Sequence, residues 1–180
     1  MTSFTLPLYK NYTMYKEIEG NLITLAKAGT FDVITHGCNC MCVMGAGIAP
    51  QMAKAFGCDK FKMEGAIYRG DANKLGTIDY EVITMAAGTS EFDVFDFDLV
   101  VVNSYTQYSY GGYYTDVTSK PIYYEALSVC LRKINYIFKG KHIGLPQIGC
   151  GLAGGDWSIV KGIIQKELKD CDVTVVIYKP

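Results

Sequence analysis

Two glycine-bearing segments contain the residues best suited to holding an anion. The first is Thr35-His36-Gly37-Cys38-Asn39-Cys40-Met41-Cys42-Val43-Met44-Gly45-Ala46-Gly47-Ile48-Ala49. The second is Leu145-Pro146-Gln147-Ile148-Gly149-Cys150-Gly151-Leu152-Ala153-Gly154-Gly155-Asp156-Trp157. Each follows an apolar run and reads as strand, glycine loop, then helix. That order lets backbone N–H groups converge on an anion at a helix start. Two such loops in one chain point to a diphosphate gripped from both sides. Neither is the dinucleotide fingerprint G-x-G-x-x-G or the phosphate loop G-x-x-x-x-G-K-[ST].

The residues around the loops add reactive and hydrogen-bonding groups, most with two readings. Asn39 either reads a ribose hydroxyl pair or closes an Asx-turn in its own loop. His36 is expected to end a strand at the mouth of the pocket, where it is a general acid or base or a hydrogen-bonded structural group. Asp156 precedes the last helix as an N-cap, and its carboxylate also faces the loop. Cys38, Cys40 and Cys42 alternate along the chain and no second cysteine pair follows them, so small residues packed beside a loop explain them better than metal binding. Asn103, Thr106 and Gln107 stand where a Leu-Val-Val-Val strand ends. The Tyr108, Tyr110, Tyr113 and Tyr114 loop after them either stacks on a ligand or is solvent-exposed.

The elements that must position these residues read as an alternation of strands and helices. Strands are expected over 12–19, 31–35, 80–86, 99–105, 142–145 and 173–178. Helices are expected over 22–28, 48–56, 60–68, 121–138 and 158–168, the fourth opening at Pro121, with a long loop over 106–120. This pattern predicts an α/β fold, a three-layer α/β/α sandwich around a mixed, mostly parallel sheet. Both loops then fall at the carboxyl ends of strands, where such sheets bind ligands. A chain of 180 residues buries roughly 70% of its unfolded surface as one domain. The net charge of −1 and the seven cysteines argue against a basic nucleic-acid face and for reduced thiols in a cytoplasmic setting. Residues 1–10 are too short and polar for a signal peptide, and no run is apolar enough for a membrane span.

The two loops in order resemble the macro domain, the ADP-ribose-binding α/β/α module, over about Tyr15 to the C-terminus. Gly20-Asn21-Leu22-Ile23 resembles that family's G-D-[IL] opening. His36-Gly37-Cys38-Asn39 is similar to its V-N-A-A-N stretch, and Pro146-Gln147-Ile148-Gly149-Cys150-Gly151-Leu152 to its P-x-I-G-x-G loop. Met44-Gly45-Ala46-Gly47-Ile48-Ala49 with Ile148-Gly149-Cys150-Gly151-Leu152 resembles the branch of terminal ADP-ribose glycohydrolases and ADP-ribose 1''-phosphate phosphatases. The resemblance implies adenine near Asn21 and Leu22, the Asn21 carbonyl reading its amino group, and the distal ribose near Asn39. The diphosphate would lie between Gly45, Ala46, Gly47, Ile48 and Ile148, Gly149, Cys150, Gly151, Leu152, Ala153, with Asn103, Thr106 and Gln107 completing the binding set.

Asn21 stands where the family has an aspartate, and Ala153 where the glycohydrolases have one. Residues 76–80 offer no lysine in register with theirs. The implied activity is therefore the phosphatase one, on ADP-ribose 1''-phosphate. Water attacks phosphorus, His36 and Asp156 divide base and acid duties, and no cofactor or metal takes part. A monomer is expected, with nucleic acid a partner only when ADP-ribosylated. The alternatives are a non-catalytic ADP-ribose reader and a hydrolase removing ADP-ribose from a macromolecule. A further one is a Rossmann-type oxidoreductase, which would favour NAD.

Overall fold

The computed structural model describes residues 13–61, 68–88, 93–110 and 121–179. Residues 1–12, most of the helix expected over 60–68, and residues 111–120 with Tyr113 and Tyr114 lie outside the described residues.

The described strands are β1 (Tyr15–Glu19), β2 (Val33–Asn39), β3 (Ile78–Ala87), β4 (Phe95–Gln107), β5 (His142–Pro146) and β6 (Asp172–Ile177). They form one sheet in the order β1-β6-β5-β2-β4-β3. All neighbours run parallel except β3 and β4. Successive side chains on a strand point to opposite faces, so each buried strand feeds two cores. On β2, Val33 joins one apolar cluster and Ile34 the other. Helices α1 (Leu22–Lys27) and α2 (Ala49–Phe56) cover the Ile34 face through Leu22, Ala26, Met52 and Phe56. Helices α3 (Tyr124–Ile137) and α4 (Trp157–Glu167) cover the other through Leu127, Leu131, Ile134, Val160 and Ile164. The result is the three-layer α/β/α sandwich, with Leu99, Val101 and Val102 buried because both faces are covered.

Three boundaries differ from the pattern reading, each through long-range pairing. β2 continues past Thr35 to Asn39 because β4 pairs alongside it, His36 with Asn103 and Cys38 with Tyr105. β3 and β4 extend into a long antiparallel hairpin at the sheet edge. Helix α3 starts after Tyr123 rather than at Pro121, because Ile122 is held extended in a bridge to Gln107. β2 and β5 are neighbours, so the loops leaving them face each other across one edge of the sheet.

Candidate functional site

A cleft of about 930 Å³ opens between the two glycine loops. Gly45, Ala46, Gly47 and Ile48 form one wall, and Ile148, Gly149, Cys150, Gly151, Leu152 and Ala153 the other. Asn21 and Leu22 line it beside β6, while Asn39 and Gln107 line it beside β2 and β4. No Lys, Arg, Asp or Glu occurs among the described lining residues. The loops compensate with backbone. Among the described residues, the N–H groups of Gly45, Ala46 and Gly47 make no hydrogen bond, nor do those of Gly149, Gly151, Leu152 and Ala153. Helix α2 starts at the cleft with no side-chain cap, leaving its positive end uncompensated. Gly149 is required where it stands: it has φ +74°, and a Cβ there would lie 2.1 Å from Ile122 Cδ1.

The amides take fixed roles. Asn39 Nδ2 donates to Val43 O at 2.8 Å, and its Oδ1 accepts from Val43 N at 3.2 Å. The turn-closing reading of Asn39 is thus what its side chain does in the structure, with one N–H and one lone pair left over. Asn21 Oδ1 accepts from Ile23 N at 2.9 Å and Thr24 N at 3.1 Å, capping α1. Both its lone pairs are engaged, which removes the carbonyl from the adenine-reading role expected of it. Gln107 Nε2 donates to Ser109 O.

His36, Asn103, Thr106 and Asp156 do not line the cleft. His36 is fully buried on β2, since the strand runs past it. Its Nε2 lies 2.9 Å from Asn103 Oδ1. Asn103 Nδ2 donates to Cys58 O at 2.8 Å, which fixes Oδ1 as acceptor and His36 Nε2 as donor. Burial pushes the His36 pKa down to about 4, so the ring is neutral at pH 7. Thr106 is buried behind the cleft floor, its hydroxyl 3.0 Å from where a Cβ on Gly37 would be. Asp156 is exposed at the start of α4, where Oδ1 accepts from Ser158 N at 2.8 Å and Ser158 Oγ at 2.6 Å. The structure does not bring His36 and Asp156 together. None of the seven cysteines forms a disulfide. Burial holds the Cys40 and Cys58 thiols at about 11, which suits packing rather than nucleophilic attack.

Charged residues that the motifs did not reveal lie next to the site. A recess of about 70 Å³ shares Cys38, Asn39, Val43 and Met44 with the cleft and adds Arg69 and Tyr105. Arg69 and Asp59 line this recess along with Asn39, one cation and one carboxylate. Behind Tyr105 is Lys74, 1% exposed, with Nζ 3.1 Å from Asp79 Oδ2 and 3.8 Å from the Tyr105 ring centre. The Tyr105 hydroxyl donates to the same carboxylate oxygen at 2.5 Å. A lysine thus stands just before the 76–80 window, in an Asp71–Leu75 turn whose polar composition gives no sign of burial.

No family model matches the chain. It is 31% identical over 173 residues to the uncharacterized 17.5 kDa protein in the tk-vs intergenic region of Enterobacteria phage T4, covering 92% of this chain and 97% of that protein. The macrodomain of Thermus aquaticus DarG is similar in structure, with a TM-score of 0.55 and 21% identity over 93% of this chain and 99% of its own. Thermosipho africanus DarTG, solved in complex with ADP-ribose, gives 0.60 and 20% identity over 94% of this chain and 42% of its own.

Proposed function

Because the chain belongs to the family of the phage T4 17.5 kDa protein and has the macrodomain fold, we propose that it binds ADP-ribose in the cleft between its glycine loops. One observation supports this above the others. Both loops that line the cleft carry backbone N–H groups without a hydrogen bond, and its described lining has no charged side chain. That arrangement suits a diphosphate, whose charge is spread over several oxygens and met by many partial positive charges. The nucleoside would extend towards Asn21 and the distal ribose towards Asn39. The DarTG complex supports the ligand class.

Calorimetric titration with ADP-ribose tests the proposal, with Gly151→Glu as the informative variant. A Cβ at Gly151 meets nothing within 4 Å, so the fold should tolerate the change. The added carboxylate would stand where the diphosphate lies and weaken binding at least about tenfold, or 1.4 kcal/mol. Binding unaffected by Gly151→Glu would put the ligand elsewhere. Tighter binding of NAD than of ADP-ribose would favour an oxidoreductase.

Arg69 favours a second, finer reading: hydrolysis of ADP-ribose 1''-phosphate. A phosphate on the distal ribose would extend from Asn39 into the recess, where the Arg69 guanidinium would attract it against the repulsion of the Asp59 carboxylate. Water attacks phosphorus, the phosphorus–ribose oxygen bond breaks, and ADP-ribose and inorganic phosphate leave. Arg69→Ala is expected to slow phosphate release at least about tenfold while changing ADP-ribose affinity less than about threefold. No phosphate release from the wild type would leave a reader of ADP-ribose. Release of ADP-ribose from a modified macromolecule would identify a hydrolase of that linkage instead.

A further inference from the structure

The nucleobase end of the cleft has a hydrogen-bonding polarity opposite to the one that reads adenine. Asn21 lines this end with Leu22, Ile23, Val176 and Tyr178, apolar and aromatic walls against which a flat heterocycle packs. Its oxygen accepts from two backbone N–H groups, Ile23 at 2.9 Å and Thr24 at 3.1 Å. Because both partners are donors, oxygen and nitrogen of the amide cannot be exchanged. The remaining polar atom is Nδ2, which only donates. It makes no hydrogen bond among the described residues. An aspartate in the same place would cap the helix with one oxygen and offer the other as an acceptor. Asparagine offers a donor instead.

Purines divide on this point. Adenine presents an amino donor at C6, whereas a 6-oxopurine presents an acceptor there. An N–H donor facing an amino group leaves both unpaired in a partly buried site, and that mismatch is what gives hydrogen-bonding pockets their selectivity. We infer that the cleft prefers a purine with a carbonyl at C6, so that its favoured ligand class is a 6-oxopurine diphosphoribose such as inosine diphosphate ribose. The inference rests on the reading that the cleft holds a nucleoside diphosphate ribose with its base beside Asn21. Only the identity of the base is new.

The test is calorimetry on the full chain, wild type and Asn21→Asp, with ADP-ribose and inosine diphosphate ribose as paired ligands. Aspartate is as good an N-cap as asparagine, so the variant should fold, and its melting curve checks this. In the wild type, inosine diphosphate ribose should bind more tightly than ADP-ribose. Asn21→Asp should reverse the order, changing the ratio of the two dissociation constants by about tenfold or more. Tighter binding of ADP-ribose by the wild type, or a ratio that Asn21→Asp leaves unchanged, overturns the base preference while leaving the cleft assignment intact. Failure of both ligands to bind the wild type removes the cleft assignment, and the preference with it.

Discussion

Three groups crowd His36 Nε2: Asn103 Oδ1 at 2.9 Å, and the Cys58 and Cys38 sulfurs at 3.6 and 3.7 Å. Burial holds it neutral, and this has a consequence for stability. The unfolded chain takes up a proton near pH 6.5, the folded chain only near pH 4. Between those values the unfolded state binds more protons, so stability falls as pH falls. The urea midpoint should therefore drop from pH 7 to pH 5, and drop less in His36→Gln. An equal drop in both proteins would show that His36 is not the group responsible. Its position was only half legible in the sequence. The histidine was visible at the end of an apolar run, but Gly37 disguised the strand's continuation, because glycine lowers strand propensity. Pairing with β4, far away in sequence, decides it. The glycine loops themselves were legible because their signal is local: bare backbone between a strand and a helix.

Helices α3 and α4 are joined across their shared layer by one carboxylate. Glu167 accepts from Ser128 Oγ at 2.6 Å and from Arg132 Nε and an Arg132 terminal nitrogen, both at 2.9 Å. The Arg132 hydrogen bonds hold its pKa at about 2 instead of 4.5. A depressed carboxylate pKa contributes stability that is complete above about pH 4.5 and lost as pH falls towards 2. Glu167→Ala should cost about 1–3 kcal/mol at pH 7 and flatten the acid limb of the stability profile below pH 4.5. If the variant unfolds at the same urea concentration as the wild type at pH 7, the clamp contributes nothing. Element types were recoverable from periodicity and from punctuation by glycine. Boundaries were not, and the misses share one cause. Residues 36–39 and Ile122 take extended geometry from a partner strand that no local window includes.

The whole molecule is a sandwich that places two loops, from the neighbouring strands β2 and β5, on one edge of its sheet. The proposed grip on a diphosphate from two sides follows from that adjacency. The chain is nearly neutral at −1 and its cleft has no described charged lining, so the proposed diphosphate binding would rest on fixed backbone dipoles. The most direct measurement is an amide-resolved NMR titration of the ¹⁵N-labelled protein with ADP-ribose. The account predicts that the amide signals of Gly45, Ala46 and Gly47 shift together with those of Gly149, Gly151, Leu152 and Ala153, saturating at one ligand concentration. Saturating ligand that moves only one loop, or neither, would contradict it.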